Sequence, residues 1–374
     1  MKVVFPDYNN STLSMINSIL KHYNVQTNHS SLKILDEKLN NYKKIVLIIL
    51  DGLGNNLLEK ISKNGFFNKN KLTKISTVFP STTVAAINTI SSGLSPVEHG
   101  WLGWTLYFKE VDRTIKVFRN EYVAHDDPVT LDYYSIIKYK NIFSYLKENN
   151  ISCQYYRPDN IPNNMEDAEN YKYKTFKEGI KMLVKNSNNN EKSFTYFYCD
   201  DPDKTLHIKG TKSFIVKHMI KKMEKIIKKN YKKIDDTLFI ISADHGLVDI
   251  DGSIYLRNDK DIYKMLKRRI SIESRASSIF LKDKYKSIFK EIFIKKYGDK
   301  FDVYSKEEVI NNNIFGFGKP HERVDCFLGD YLVVAKGKWT LNYSNEHKSF
   351  MKASHAGMTE DEMIIPLIVF DNKK

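Results

Sequence analysis

Short apolar runs alternate along the chain with segments whose apolar residues recur at helical spacing. Four of these runs predict buried strands, at 45–50, 194–198, 237–242 and 364–370. Helical spacing from about Asn55 to Lys63, and again between Ile215 and Ile227, predicts two helices. The alternation predicts an α/β fold in which a central, mostly parallel sheet carries helices on both faces. Pro366 indicates that the last strand lies at an edge or enters the pairing late.

The pattern changes after residue 250. Short strands are predicted at 277–281, 301–304 and 331–335, and a helix is predicted at 285–296. They predict a small α+β unit inserted in the core, for which a cap over the active site is the natural role. The expected division is therefore a catalytic core in two segments, 1–250 and 346–374, separated by an inserted cap at 251–345. The polar run 186–190 predicts a short loop.

Composition narrows the class of protein. The 374 residues are 41% hydrophobic and 28% charged, which is typical of a globular chain. The longest strongly apolar run is too short to cross a bilayer and the start lacks a signal-peptide pattern, so we expect a cytoplasmic protein without a membrane partner. Cys153, Cys199 and Cys326 are too widely spaced for a disulfide framework or a thiolate metal site.

The chain is strongly basic, with a formal net charge of +14. Its lysines are spread along the sequence, and no known nucleic-acid motif accompanies them, so nucleic acid is not the expected partner. The densest basic stretch, 217–233, overlaps apolar residues at helical spacing, which predicts an amphipathic helix with its lysines in solvent. The sequence leaves the oligomeric state open.

Acidic and imidazole side chains follow three of the predicted strands. They are Asp51; Asp200, Asp201, Asp203 and His207; and Asp244 and His245. Because ligand sites of an open parallel sheet lie beyond the carboxyl ends of its strands, these groups are expected to converge. Asp and His together are the ligand set of hydrolytic zinc, and a pair of ions needs about six such ligands. His355 is the best sixth candidate, although each residue taken singly is also compatible with a turn, a helix cap or a loop.

The stretch 78–101 places three hydroxyls before a predicted helix. Val84 to Ile90 form that helix, which stops at Gly93, so Ser81, Thr82 and Thr83 lie at its N-terminus. Free N–H groups and the helix dipole favour a phosphate there. A threonine becomes a nucleophile when metal coordination lowers its pKa, but the same residues also suit a helix cap.

Taken together, these motifs resemble the alkaline phosphatase superfamily, and more closely its type I phosphodiesterase and nucleotide pyrophosphatase branch. The resemblance rests on motifs that keep their order over residues 45–370: Asp51-Gly52, the run 79–83 followed by 92–100, the run 202–210, Asp244-His245-Gly246 and His355. It implies an alkaline phosphatase-like fold and two divalent metal ions, zinc or manganese. It also implies Thr83 as the nucleophile that forms a phosphothreonine intermediate.

The resemblance further assigns ligands to each ion. One ion falls to Asp203, His207 and His355, and the other falls to Asp51, Asp244, His245 and Thr83. One position departs from the family pattern, because Trp104 stands where the branch carries an asparagine that binds the phosphoryl oxygen. Trp104 is therefore a candidate substrate-binding residue, and the aromatic residues around it form either a wall of the site or ordinary core.

The expected function is hydrolysis of a small-molecule phosphate ester, with phosphodiesters or nucleotide pyrophosphate-type bonds favoured. Phosphomonoesters, phosphonates and a metal-dependent phosphomutase reaction on the same core remain alternatives. A noncatalytic metal-binding relative is the alternative outside enzymes. A sulfatase is set aside because the sequence 153–157 lacks the central proline of the sulfatase motif and lies away from the nucleophile's place.

Overall fold

The computed structural model describes residues 1–125, 127–162, 165–187, 192–345 and 351–373. Positions 188–190 of the predicted loop at 186–190 lie outside these ranges. The α-helices of the described residues are Thr12–His22, Lys33–Leu39, Asn55–Ile61, Phe66–Lys69, Thr83–Ser92, Pro96–His99, Tyr133–Ile136, Ile142–Glu148, Phe176–Asn186, Asp203–Lys209, Phe214–Asn230, Lys260–Tyr263, Lys286–Tyr297, Lys306–Asn311, Val324–Phe327 and Glu360–Met363. Short 3-10 helices are Tyr231–Lys233, Leu256–Asn258 and Asp283–Tyr285.

A seven-stranded sheet forms the centre of the fold. In order across it, the strands are Lys71–Ser76, Ile364–Asn372, Thr237–Ser242, Lys44–Leu50, Ser193–Cys199, Ser152–Pro158 and Glu169–Tyr173. The last five strands of this order pair in parallel, and Ile364–Asn372 is antiparallel to both of its neighbours. Lys44–Leu50 is buried throughout, as expected for a central strand covered on both faces. The predicted α/β class and its mostly parallel central sheet are confirmed.

The strand that contains Pro366 is not at the edge of this sheet, since Lys71–Ser76 lies outside it. Its pairing with Thr237–Ser242 begins only at Ile368, two residues after the proline. Because proline lacks a backbone N–H, the ladder on that side starts beyond it. Late entry into pairing is thus correct for this side of the strand, whereas on the other side the strand pairs with Lys71–Ser76 from Ile364 onward.

A second sheet of seven strands is antiparallel. Its order is Phe301–Ser305, Tyr331–Ala335, Ala276–Ile279, Ser271–Ile272, Thr105–Phe108, Arg113–Lys116 and Glu121–Tyr122. The predicted insertion at 251–345 supplies four of these strands, and 105–122 supplies the other three, joined through the bridge between Ile272 and Thr105. Nothing in the sequence pattern of residues 105–122 predicts this recruitment. The division at residues 250 and 345 stays a prediction.

Two further pairs of strands and the basic helix lie outside the two large sheets. Val248–Asp249 pairs with Ala353–Ser354, and Gly252–Tyr255 pairs with Trp339–Asn342. The helix Phe214–Asn230 buries Val216, Ile220, Met223 and Ile227, while its lysines are exposed, as predicted. Within the part of the chain that the structure describes, no helix has the length and apolar character to cross a membrane.

Candidate active site

Asp51, Asp203 and Asp244 meet at the carboxyl edge of the central sheet. Asp51 follows the strand Lys44–Leu50, Asp244 follows Thr237–Ser242, and Asp203 begins the helix Asp203–Lys209. The backbone N–H of Asp203 donates to the carbonyl of Asp51 at 2.9 Å. Gly52 turns the chain with a φ of 76°, and a Cβ there would lie 2.9 Å from the Asp203 backbone. Only glycine suits both the left-handed conformation and this close approach.

The histidines lie among these carboxylates. His207 Nε2 is 3.2 Å from Asp203 Oδ2, and His355 Nε2 is 4.0 Å from Asp203 Oδ1. His245 Nε2 is 3.5 Å from Asp51 Oδ1 and 3.3 Å from Asp244 Oδ2. The structure therefore brings together all six residues that the sequence analysis selected as metal ligands on their chemistry.

Two groups of three within this cluster have ligand atoms within 4.8 Å of one another. They are Asp203, His207 and His355, and Asp51, Asp203 and His245. The first group equals one predicted ligand set. The second contains Asp203 where the prediction has Asp244, whose Oδ1 already accepts hydrogen bonds from the N–H groups of Gly52 and His245. Asp203 thus lies between the two groups, and the assignment of ligands to each ion stays a prediction.

All three imidazoles face a carbonyl with Nδ1. The acceptors are Ala353 O for His207, at 2.8 Å, Ser81 O for His355 and Gly246 O for His245, both at 3.1 Å. A carbonyl can only accept, so the hydrogen bond requires the proton on Nδ1 and leaves the lone pair on Nε2. This fixed tautomer is the usual arrangement of histidine ligands to a metal.

The carboxylates carry oxygens that nothing in the described part of the chain satisfies. Asp51 Oδ1, Asp203 Oδ1 and Asp244 Oδ2 are buried without a hydrogen-bond partner. Burial, followed by the charges of Asp244 and Asp203, raises the pKa of Asp51 well above its ordinary value. Although burial opposes it, the neighbouring His207 lowers the pKa of Asp203. Buried, mutually repelling carboxylates are stabilised by cations, so these residues fit a divalent metal centre.

Thr83 is the first residue of the helix Thr83–Ser92, which ends at Gly93 in the left-handed conformation, as predicted. Its Oγ1 lies 3.1 Å from His245 Nε2 and donates to Asp51 Oδ2 at 3.4 Å. The hydroxyl therefore lies against one of the two ligand groups and beside the free N–H groups of a helix N-terminus, which favour an anion.

The two neighbouring hydroxyls do not cap this helix with their side chains. Ser81 Oγ donates to the carbonyl of Gly357 at 2.7 Å. Thr82 occupies the N-cap position, but its side chain makes no capping hydrogen bond and instead donates to Glu273 Oε1 at 2.7 Å. The predicted capping role of these side chains is wrong, because acceptors from distant segments engage both hydroxyls.

Trp104 is half-buried and packs against the apolar cluster beneath the second sheet. Its ring meets Phe118 edge-on at 5.9 Å, and its backbone N–H donates to Glu273 Oε1 at 2.8 Å. Trp101, Leu102 and Phe108 are buried in the same cluster. Of the two alternatives for the neighbours of Trp104, a wall of the site or ordinary core, ordinary core is correct for Trp101, Leu102 and Phe108.

Two residues next to the site, Tyr198 and Glu273, were not predicted from the sequence. The Tyr198 hydroxyl donates to Asp51 Oδ2; its position near the carboxyl end of a buried parallel strand was an available signal. Glu273 comes from the distant insertion and belongs to no recognisable motif. Conversely, Asp201 lies outside the cluster, since its Oδ1 accepts from the side chain and N–H of Thr205.

Comparisons with known proteins agree with this geometry. The family model described as type I phosphodiesterase / nucleotide pyrophosphatase matches residues 45–359. Structures of murine and human ectonucleotide pyrophosphatase / phosphodiesterase 5 superpose with a TM-score of 0.66 at 16% sequence identity, over 88% of this chain. The murine match, an inactive form in complex with AMP, is covered over 88% of its own length and the human match over 90%.

A sequence comparison with curated proteins finds no significant match. The family match nevertheless spans most of the chain, and the structural matches have the same alkaline phosphatase-like fold. The chain therefore belongs to the type I phosphodiesterase / nucleotide pyrophosphatase family, whose members are metal-dependent enzymes that act on small-molecule phosphate esters.

Proposed function

We propose that this protein hydrolyses phosphodiesters or nucleotide pyrophosphate-type bonds, with Thr83 as the nucleophile. One observation carries the proposal: Thr83 Oγ1 lies at the start of a helix, 3.1 Å from His245 Nε2 and 3.4 Å from Asp51 Oδ2. The carboxylate oxygens of the same site have no hydrogen-bond partner within the described ranges. A hydroxyl held in this way is suited to attack a phosphorus atom whose oxygens face the helix N-terminus.

Two divalent cations, zinc or else manganese, are the proposed cofactors. Asp203, His207 and His355 would hold one, and Asp51, Asp244 and His245, with the Thr83 hydroxyl, the other. When bound, such cations act as Lewis acids that offset charge on the phosphoryl group and lower the pKa of a coordinated hydroxyl. Imidazole and carboxylate ligands suit zinc, although the same set also accepts manganese.

The residues of the chain suggest an in-line displacement in two steps. Thr83 gives up its hydroxyl proton, for which Asp51 Oδ2 is the acceptor its hydrogen bond already points to. The Thr83 oxygen forms a bond to phosphorus while the bond to the leaving alcohol or phosphate breaks, and the leaving oxygen takes up, by way of solvent, the proton that Asp51 accepted. Water then attacks the phosphothreonine ester, the bond from phosphorus to Thr83 breaks, and the threonine hydroxyl is restored.

A nucleotide is the proposed substrate type. The murine structural match is in complex with AMP, and a nucleoside monophosphate is what this displacement releases from a nucleotide diester. The sequence identity to that structure is only 16%. The proposal of a nucleotide substrate therefore depends mainly on membership of the family and on the chemistry of the displacement.

A panel of three substrates tests the reaction class. Bis-p-nitrophenyl phosphate, p-nitrophenyl phosphate and p-nitrophenyl phenylphosphonate are assayed with added zinc or manganese, and the diester is expected to give the highest kcat/KM. Preference for the monoester or the phosphonate would instead support those alternatives. Turnover of none of them, with metal bound, would support a noncatalytic relative, and isomerised sugar phosphate would indicate a mutase.

Variants of Thr83 test the nucleophile. Thr83→Ala is expected to abolish turnover while metal stays bound, and Thr83→Ser, which keeps a hydroxyl, is expected to retain part of it. Mass spectrometry of acid-quenched enzyme should detect the substituted threonine in the wild type only. Full activity of Thr83→Ala in a clean preparation would show that another group attacks phosphorus.

A further inference from the structure

Glu273 reaches the active site from the second sheet. Glu273 lies in the turn between the strands Ser271–Ile272 and Ala276–Ile279. These two strands pair with each other as an antiparallel hairpin. Glu273 Oε1 accepts two hydrogen bonds, from Thr82 Oγ1 at 2.7 Å and from the Trp104 N–H at 2.8 Å. Thr82 is the direct neighbour of Thr83, so the carboxylate is fixed one residue from the proposed nucleophile.

The backbone before Glu273 is strained. Ile272 has a φ of 74°, in the left-handed region that a β-branched residue rarely adopts, and its side chain is fully buried. Such outliers persist where the surrounding structure enforces them, and they concentrate at functional sites. This conformation directs the chain so that Glu273 meets Thr82 and Trp104.

One oxygen of Glu273 is anchored and the other is not. Oε2 has no hydrogen-bond partner in the part of the chain that the structure describes, whereas Oε1 has two. The charge of Glu273 also interacts with His207 and Asp203, so its field reaches the metal-ligand cluster. When ionised, the carboxylate thus adds a negative charge at Thr82, the residue next to the proposed nucleophile.

This charge changes the electrostatic balance of the site. Under the proposed function, two divalent cations exceed the charge of the three aspartates by one unit, and an ionised Glu273 cancels that excess. A phosphodiester carries one negative charge, whereas a phosphate monoester carries nearly two above pH 7 because its second pKa is about 6. An extra carboxylate near the phosphoryl group therefore disfavours the monoester more than the diester.

We propose that Glu273 is a specificity-determining residue that selects singly charged phosphodiesters against doubly charged monoesters. The inference rests on the proposed function, and it adds a role for the position that Trp104 occupies. At this position the backbone N–H of Trp104 donates to Glu273 Oε1 and so holds the carboxylate in place.

The test is Glu273→Gln, which keeps an acceptor for Thr82 and Trp104 and removes only the charge. Because burial raises the pKa of Glu273 to about 7, measurements are made at pH 8.5, where the wild-type side chain is ionised. We expect the ratio of kcat/KM for p-nitrophenyl phosphate to that for bis-p-nitrophenyl phosphate to rise on the order of tenfold. In a Thr83→Ala background, phenyl phosphate should bind on the order of tenfold more tightly by calorimetry, while diester binding changes much less.

Glu307→Gln is the matched control, since it removes the same charge from an exposed position in the same insertion. It is expected to leave the kcat/KM ratio and the affinities for both ligands unchanged. Equal loss of affinity for both ligands in Glu273→Gln, or no change in either, would overturn the selectivity role; metal content and thermal unfolding of each variant are recorded alongside. Failure of the proposed function is distinguishable, because then either the wild type turns over none of the substrates or Thr83→Ala retains turnover, whatever Glu273→Gln does to the binding of the two ligands.

Discussion

Replacing Asp51 with asparagine is expected to stabilise the metal-free protein. Asp51 is 3% exposed, and its carboxylate shares a cluster with Asp203 in which the ligand atoms lie within 4.8 Å of each other. Two unit charges at that separation, in an effective dielectric of about 20, repel by about 3 kcal/mol. Asparagine removes the charge, keeps an oxygen to accept from Tyr198 and Thr83, and offers an N–H to an unpartnered carboxylate oxygen.

The measurement is thermal unfolding in the presence of a chelator. For a chain of this length, a gain of about 3 kcal/mol raises Tm by about 4 °C. The pKa of Asp51 is raised in the folded protein, so the folded state holds the proton more tightly than the unfolded chain does. The stability of the metal-free wild type should therefore fall as pH rises above the ordinary aspartate value, and Asp51→Asn should remove that part of the fall.

Added zinc or manganese should reverse the order of the two proteins. Metal that binds only the folded state stabilises it by mass action, and the neutral amide is a poorer ligand, so the wild type gains more than Asp51→Asn does. Asp325→Asn, at an exposed surface ion pair, is the matched control and should change neither measurement by much. A metal-free Asp51→Asn protein less stable than the wild type, or one with a full metal response, would show that Asp51 is neither repelled by its neighbours nor a metal ligand.

Three further predictions concern residues around the site. Tyr198→Phe removes the hydrogen bond to Asp51 and should weaken metal binding about tenfold or more by calorimetry; unchanged affinity would mean that this bond does not orient the ligand. Arg275→Met leaves the buried carboxylate of Glu362 unpaired and should cost about 3 to 5 kcal/mol in urea unfolding, with part recovered by adding Glu362→Gln. Burial raises the pKa of Glu273 in the folded protein from 4.5 to about 7. The folded state therefore gains stability from the protonated side chain at low pH and loses about 3 kcal/mol of it as the pH rises from 4.5 to 7. The free energy of unfolding of metal-free Glu273→Gln, measured in urea, should lack this loss.

The central sheet and the proposed ligands follow largely from local sequence. Continuous apolar runs such as Ile45 to Leu50 mark strands buried on both faces, and the residues that follow such strands must converge at one edge of a parallel sheet. For that reason Asp51, Asp203 and Asp244 could be predicted to meet although almost 200 residues separate the first from the last. Gly93 likewise marks the end of a helix by its left-handed conformation.

The second sheet and the surroundings of the hydroxyls could not be predicted in this way. The bridge between Ile272 and Thr105 joins strands from distant parts of the chain, and short strands carry little local signal. Thr82 would serve equally well as a helix cap by its sequence; only the approach of Glu273, 191 residues away, gives its hydroxyl a different acceptor.

Local sequence therefore specifies which residues lie at the carboxyl ends of the strands, and with them the ligand chemistry of the proposed metal site. Only tertiary packing specifies what surrounds that site: the carboxylate of Glu273 as the acceptor for Thr82, and the hydroxyl of Tyr198 as the donor to Asp51. The two kinds of information differ in the distance along the chain over which they are encoded. Hydrophobic periodicity and strand direction are encoded within short segments, whereas a side chain's hydrogen-bond partner depends on how distant segments pack against one another.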